Sequence, residues 1–422
     1  MALTAHLAWG ARLGPQSIPS TGRLLALVLP MAMAMYAAFQ GCQYVLLPIQ
    51  LQAIDAPHKV ANMATIVAIT AVTGALGMVA GGWATDVTRS RWGGRTPWLL
   101  AMGLASVALY LPFGFATSVG AVAFFAAAVW FTLNFFQGAM LTVLPARVSE
   151  RDRAFALAFF AVGGPIGGLA GYQVAALVGG AWGYIALATA FLALLALFLV
   201  FAPETEAERN RLAKTIVAAP DSLPSGTFAS FRRRDFLLAF VFRLAIFSGQ
   251  AAILNYLVYY LIDRIGLSAI PSRSAEIGVG QIAGMRTICT LVGLALGMVL
   301  VRRTANRKMF LQAYALVMGG AMLLPVFAPN WTSLLVYGGL GGLAMGFYST
   351  VDLHLMSAVL PNPRTKGRDM GMLAMAGALG QLVGPPLASV AIQTIGYSAM
   401  FELAAFITLG GGIAAGFLRS VR

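Results

Sequence analysis

Long runs of apolar residues alternate with short polar segments along most of the chain. A helix needs about 20 apolar residues to cross the hydrocarbon core of a bilayer. Twelve runs reach about this length, and we number them spans 1 to 12 in chain order. They cover residues 24–48, 60–83, 97–116, 119–144, 153–178, 182–202, 236–262, 277–301, 309–328, 331–359, 370–393 and 397–418. The pattern therefore predicts an all-α membrane protein with twelve transmembrane helices.

Residues 203–235 form the longest gap between the runs and leave six spans on either side. The gap contains Glu204 and the basic cluster Arg232–Arg234, a composition typical of a loop in water. We predict three parts: an N-terminal six-helix bundle with a short cytoplasmic tail, a cytoplasmic linker and a C-terminal six-helix bundle, in residues 1–202, 203–235 and 236–422.

The two halves repeat each other's landmarks. Spans 4 and 10 both end in Val-Leu-Pro, at Val143–Pro145 and Val359–Pro361, and the two motifs are 216 positions apart. A basic loop follows each motif. Internal repeats of this kind are common among membrane transporters. The pattern therefore predicts two bundles that are related by pseudo-symmetry.

The composition excludes several other classes of protein. Hydrophobic residues make up 59% of the 422 residues and charged residues 10%, whereas soluble domains are about 25% charged. A soluble or disordered chain is thereby excluded. The two cysteines and three histidines lie far apart in the chain and give no spacing that suits a metal ion. We expect no enzyme activity, no cofactor, no metal and no nucleic-acid partner.

Basic residues are concentrated on one side of the predicted topology. The net charge is +14, and 23 of the 28 Lys and Arg residues fall in the tails, the linker and the loops assigned to that side. Cytoplasmic loops of membrane proteins carry such an excess. We therefore expect both termini in the cytoplasm. We further expect a multi-pass monomer in the lipid bilayer of the cell inner (plasma) membrane.

Four charged residues lie inside the spans, where a charge is expensive and marks a functional hypothesis. Asp352 in span 10 and Arg243 in span 7 lie roughly 14 Å and 10 Å from the cytoplasmic end. We predict that they pair, and that the pair loosens when Asp352 takes up a proton. The alternative is a static pair that joins two helices. Arg286 in span 8 is either a counter-ion for an anionic substrate or a partner of Glu276 or Glu402.

Polar side chains also recur at helical spacing. They could bind the hydroxyl groups of a substrate, or they could join helices by hydrogen bonds. The candidate substrate contacts are Tyr36, Gln40, Gln43 and Tyr44 in span 1; Trp130, Asn134 and Gln137 in span 4; Gln250, Asn255 and Tyr259 in span 7; Arg286 in span 8; and Tyr348 and Ser349 in span 10.

The loop from Asp86 to Trp98 carries the most specific motif. It is similar to the pattern D-x-T-R-S-R-W-G-x-R-x-P-W of the glycoside–pentoside–hexuronide:cation symporters, and sucrose–proton symporters have a similar loop. The whole chain resembles the major facilitator superfamily, to which both groups belong. The resemblance implies two six-helix bundles around a central cavity that opens to alternate sides. It also implies that spans 1, 4, 7 and 10 line the cavity, and that Asp86, Arg89 and Arg95 close the cytoplasmic side.

These observations predict a secondary active transporter for a small polar solute. Proton symport of a glycoside-like substrate is the leading form. The first six spans contain no Asp or Glu, so an acidic sodium site in that half is not expected. The alternative is import, exchange or export of an organic anion, because two interior arginines face one deep carboxylate. A further alternative is a non-transporting assembly factor built on the same fold.

Overall fold

A computed structural model describes residues 18–88, 90, 93–148, 153–202, 229–303, 308–359 and 366–419. Within these residues each predicted span is helical, which confirms the predicted all-α architecture. Most of the predicted linker, residues 203–228, lies outside the described residues.

The helices of the first six spans are Ile18–Gly41 continued by Leu47–Ile54, then Lys59–Val87, Thr96–Phe113, Val119–Arg147, Arg153–Val178 and Gly180–Phe201. Those of the last six are Arg234–Leu254 continued by Leu257–Tyr260, then Ala275–Arg303, Lys308–Phe327, Trp331–Ala358, Lys366–Thr394 and Tyr397–Gly416. Eleven of the described helical segments are long and apolar enough to cross a membrane, and span 5 contributes the shorter apolar stretch Val162–Val178.

Glycines allow spans 2 and 4 to pack backbone against backbone. A Cβ atom added at Gly77, Gly81 or Gly138 would lie 2.1 to 2.4 Å from a carbonyl oxygen of the neighbouring helix. Any side chain larger than hydrogen would therefore push the helices apart. Spans 8 and 10 meet in the same way at Gly342, where a Cβ atom would lie 2.2 Å from the Arg286 oxygen.

Span 5 packs on span 1, and span 11 packs on span 7, through the same kind of contact. A Cβ atom at Gly171 would lie 2.2 Å from the Ala37 oxygen, and one at Gly384 would lie 2.2 Å from the Ser248 oxygen. Close helix pairs thus recur at matching places in the two halves. The repeat predicted from the Val-Leu-Pro motifs is therefore also present in the packing.

Two spans depart from regular helix geometry. Span 1 contains a π-helical turn at Cys42–Leu46. Span 7, predicted as one run, is interrupted after Leu254 and ends in a second π-helical turn at Leu261–Ile265. At the interruption the Asn255 side chain donates from Nδ2 to the Ala251 oxygen over 2.8 Å. An Asn side chain that bonds to its own backbone weakens the regular helix, and π-helical turns are frequent at functional sites.

Polar contacts join the two halves at one end of the helices. We call this end, where spans 1 and 2 are connected, the outer end, because the charge distribution predicts it outside the cell. Lys59 Nζ lies 2.6 Å from Asp263 Oδ2, and Gln43 Nε2 donates to Asn255 Oδ1 over 3.0 Å. Ser389 Oγ donates to the backbone oxygen of Val60 over 3.3 Å. These contacts hold the halves together at the outer end.

The glycine contacts predict a contrast between two neighbouring positions in span 2. Gly81→Ala places a Cβ atom only 2.1 Å from the Phe135 oxygen, whereas the Cβ atom of Gly82→Ala meets nothing within 4 Å. Overpacking of this kind lowers the free energy of unfolding by about 1–3 kcal/mol. Replacing glycine by alanine inside a helix otherwise stabilises the helix by about 1 kcal/mol. We expect Gly81→Ala to lower the unfolding temperature of the purified protein in detergent, and Gly82→Ala to leave it unchanged or raise it. Equal effects of the two substitutions would contradict the backbone contact.

Candidate functional site

Arg243, Tyr348 and Asp352 form a polar cluster where spans 7 and 10 meet. Arg243 Nη1 contacts the Asp352 carboxylate and lies 3.0 Å from the Tyr348 hydroxyl. The Tyr348 hydroxyl donates to Asp352 Oδ1, because residues four apart share one face of a helix. Arg243 Nε donates to the Leu373 oxygen of span 11 over 3.0 Å. The two charges thus neutralise each other, and neutral acceptors complete the shell of the guanidinium.

The two members of this ion pair differ in their access to solvent. The Arg243 side chain is 7% exposed and the Asp352 side chain is 26% exposed. Asp352 is therefore the member of the pair that a proton from water can reach. Whether the pair loosens on protonation remains a prediction.

A second polar cluster surrounds Arg286. Arg286 Nη2 donates to Gln250 Oε1, and Gln250 Nε2 donates to the Tyr314 hydroxyl over 2.6 Å. The structure does not pair Arg286 with Glu276 or Glu402, the alternative raised from the sequence, and Ser274 Oγ donates to Glu276 Oε2 at the start of span 8 over 2.6 Å. Within the described residues no carboxylate lies within 4.0 Å of the Arg286 guanidinium.

Arg286 lies on the helix of the C-terminal half that contacts span 5 of the N-terminal half. It is half-buried, and Gln173 Nε2 of span 5 donates to the Gly280 oxygen of span 8 over 3.1 Å. In the N-terminal half the rings of Tyr44 and Tyr172 stack with centroids 6.0 Å apart. Arg286 therefore carries its charge on a helix that borders both halves.

The two polar clusters are in contact through aromatic rings. The ring centroids of Tyr314 and Tyr348 are 5.1 Å apart, and the Phe242 ring packs against both at 6.4 and 5.9 Å. A displacement of the Tyr314 ring would therefore also displace the Tyr348 ring, whose hydroxyl donates to Asp352.

Several predicted residues of spans 1 and 4 have partners inside the N-terminal half. Gln137 Nε2 donates to the Tyr36 hydroxyl over 3.2 Å, and Gln40 Nε2 donates to the Gly164 oxygen of span 5 over 3.3 Å. Asn134 Nδ2 donates to the oxygen of Trp130 over 2.8 Å. Tyr36, Gln40 and Gln137 are half-buried, so their polar groups remain partly accessible.

Other predicted substrate contacts occupy the outer junction between the halves. Gln43 and Asn255 bond to each other, as described above. The Lys59 ammonium lies 5.1 Å from the centroid of the Tyr259 ring, and Tyr259 is fully buried. Ser349 is exposed and donates to the Met345 oxygen of its own helix over 2.8 Å. These four side chains thus contribute to the junction or to a helix, away from the Arg286 cluster.

Two of the predicted gate residues, Asp86 and Arg95, lie at the inner end, opposite the outer end. Asp86 is exposed at the end of span 2. Arg95 is buried and donates from Nε to Thr142 Oγ1 of span 4 over 2.9 Å. Arg89 lies outside the described residues. The closing role of the three residues stays a prediction.

Comparison with known proteins decides the family. The model described as Major Facilitator Superfamily matches residues 29–285 and 268–422. The chain belongs to the major facilitator superfamily. A POT family transporter in complex with a thioalcohol conjugated peptide has a similar fold, with a TM-score of 0.73 at 12% identity over 94% of this chain and 97% of that chain. The nucleoside transporter NupG gives a TM-score of 0.72 at 12% identity over 94% and 99%.

Curated relatives match a short segment of the chain. The chromaffin granule amine transporter of Homo sapiens is 36% identical over 86 residues, which are 20% of this chain and 16% of that protein. The synaptic vesicular amine transporter of Rattus norvegicus is 32% identical over 88 residues, which are 21% and 17% of the two chains. The match therefore spans less than a fifth of these relatives. The family and the apolar helices establish a multi-pass membrane protein of a transporter superfamily.

Sequence reasoning missed several members of the site in this superfamily protein. Tyr172, Tyr314 and Tyr337 lie in spans 5, 9 and 10, outside the polar stripes from which the substrate contacts were predicted. The adjacent polar pair Tyr172–Gln173 in an apolar span was the signal available. Lys59 and Asp263 fall between the predicted spans, and nothing in their local sequence indicates that they meet.

The Arg243–Asp352 pair predicts a compensating double variant. Removing one partner leaves an unpaired buried charge, which costs 3–5 kcal/mol for a fully buried pair. Because Asp352 is 26% exposed, we expect about 2 kcal/mol for each of Arg243→Gln and Asp352→Asn. The double variant removes both charges and should unfold at a higher temperature than either single variant. Additive losses in a double-mutant cycle would show that the pair contributes no coupling.

Proposed function

We propose that this protein is a secondary active transporter that moves a small organic anion together with a proton by alternating access. Support for the general class comes from the superfamily match and from the similarity of the fold to solved transporters. Support for the finer assignment comes from the charges inside the C-terminal half.

The half-buried charge of Arg286 is the observation that carries the choice of an anion. Its hydrogen-bond partner is a neutral amide, and no carboxylate of the described residues lies within 4.0 Å of its guanidinium. A buried or partly buried cation is stabilised by an opposite charge. A solute that carries a negative charge would supply it, whereas a neutral solute would leave Arg286 without a counter-ion.

Asp352 is the proposed proton carrier. Protonation neutralises its carboxylate and removes the charge that holds Arg243, which keeps its bonds to Tyr348 and Leu373. Arg243 and Arg286 carry two positive charges and the Asp352 carboxylate carries one negative charge. The site therefore has one excess positive charge before a solute binds. A monoanion and a proton that bind together leave this excess unchanged. Symport of one proton with one monoanion is therefore electroneutral.

A glycoside-like solute is the second candidate. The half-buried side chains of Tyr36, Gln40 and Gln137 could bind hydroxyl groups, and the Asp86–Trp98 loop is similar to that of the glycoside–pentoside–hexuronide:cation and sucrose–proton symporters. A sugar acid could bind Tyr36, Gln40 and Gln137 through its hydroxyl groups and Arg286 through its carboxylate. The amine relatives named above suggest a cationic solute, which the positive charge of Arg286 disfavours.

Uptake into proteoliposomes tests the proposal. With labelled D-glucuronate, lactate and benzoate as probes, we expect accumulation of at least one when the outside is acidic, and no response to a potential imposed with potassium and valinomycin. Methyl glucoside and dopamine are the neutral and cationic comparisons. Uptake of these two without the carboxylates would contradict the anion assignment, and no flux of any probe would favour a non-transporting assembly factor.

Variants of the two charged residues separate binding from coupling. Asp352→Asn should abolish uphill accumulation and retain exchange of labelled for unlabelled solute, because exchange needs no net proton movement. Arg286→Gln should reduce both at least tenfold. Arg303→Gln, an exposed arginine on the same helix, is the matched control and should transport like the wild type. Undiminished uphill transport by Asp352→Asn would remove Asp352 from the coupling.

A further inference from the structure

The hydroxyl group of Tyr337 has no hydrogen-bond partner within the described residues. The residue lies in span 10 and is 2% exposed. Buried polar groups nearly always have a partner, and an unmade bond costs about 1–3 kcal/mol. The Tyr337 hydroxyl is therefore available to donate to an acceptor that comes from outside the described residues.

Tyr337 lies on a helix that packs against span 8. Its ring meets Phe401 of span 12 edge to face, with centroids 5.9 Å apart. The next residue, Gly338, lies against Ile282, where an added Cβ atom would be 3.1 Å from the Ile282 oxygen. Arg286 is one turn further along the same helix. Tyr337 and Arg286 thus come from two helices whose backbones touch.

Tyr337 also shares a helix face with the proton cluster. It precedes Tyr348 by 11 residues, which is three turns with a rotation of about 20°. Gly342, on the same helix as Tyr337, packs against the backbone of Arg286, where an added Cβ atom would lie 2.2 Å from the Arg286 oxygen. The helix that carries the unpaired hydroxyl therefore also contacts Arg286.

We propose that Arg286 and the Tyr337 hydroxyl together bind the carboxylate group of the transported solute. The inference rests on the proposed function, since it names the group of the anion that is bound. The Gln250 amide oxygen accepts a hydrogen bond from the guanidinium of Arg286. A carboxylate takes its place on Arg286 with one oxygen and accepts from Tyr337 with the other.

The chemistry of the two donors selects a carboxylate over its neutral amide. A carboxylate has acceptors on both oxygens and a full negative charge, so it satisfies a guanidinium and a hydroxyl together. A carboxamide has one acceptor oxygen and no charge, so it can bind Arg286 through that oxygen, as Gln250 does, but it brings no counter-charge and no second acceptor for Tyr337. The stacked rings of Tyr44 and Tyr172 provide an aromatic surface from the other half for the rest of the solute.

Calorimetric titration of the purified full-length protein in detergent tests this site. The probes are benzoate, lactate and D-glucuronate, each compared with its carboxamide. We expect at least one carboxylate to bind at least tenfold more tightly than its amide. Tyr337→Phe should weaken that carboxylate about tenfold, the loss for one hydrogen bond to a charged group, and leave the amide unchanged.

The unfolding temperature without ligand separates binding from structure. Tyr337→Phe removes an unpaired hydroxyl, so it should leave this temperature unchanged or raise it. The matched control is Tyr110→Phe in the N-terminal half, where the hydroxyl donates to the Ala38 oxygen over 2.9 Å. This variant should unfold at a lower temperature and keep the wild-type preference for carboxylate over amide.

Two results would overturn the assignment of Tyr337. One is wild-type affinity of Tyr337→Phe for the carboxylates, and the other is equal affinity of the wild type for carboxylates and amides. Proton-driven uptake that persists unchanged in Tyr337→Phe would reject this inference and leave the proposed function standing. Carboxylate binding that depends on Tyr337 without any flux would reject the transport proposal and leave the site standing.

Discussion

A guanidinium inside an apolar helical bundle requires acceptors, and this requirement organises the C-terminal half. Arg243 draws together three helices, through the Asp352 carboxylate, the Tyr348 hydroxyl and the Leu373 oxygen. Arg286 draws in the Gln250 amide. One arginine is neutralised and the other is not. This difference divides the interior into a place that holds its own counter-charge and a place that accepts one.

The bilayer makes much of the fold readable from the sequence. Because a helix must satisfy its backbone internally and present apolar side chains to lipid, the twelve runs predicted the helices, and the Val-Leu-Pro motifs predicted the repeat. The approximate depths of Arg243 and Asp352 follow from the rise of a helix, so two residues that are in contact could be chosen as partners. Each of these inferences uses one helix at a time.

Features that depend on two helices were not readable in this way. The interruption of span 7 at Asn255 coincides with a bond to Gln43 in the other half, and nothing in either local sequence specifies it. Gln250 was expected to face the solute, and its role as the partner of Arg286 depends on how spans 7 and 8 rotate against each other. The acidic candidates Glu276 and Glu402 were chosen by charge, whereas the structure uses an amide.

The glycine contacts within each half have a mechanical consequence. Where two backbones touch, no side chain lies between them that could change rotamer to absorb a movement. Spans 2 and 4 therefore move as one rigid unit, and so do spans 8 and 10. Deformation is then directed to the surface between the halves, which is held at its outer end by a few polar side chains such as Lys59 and Asp263. Amide and carboxylate groups can exchange protein partners for water at small cost. The protein thereby combines rigid helix pairs within each half with polar contacts between the halves that can break and re-form.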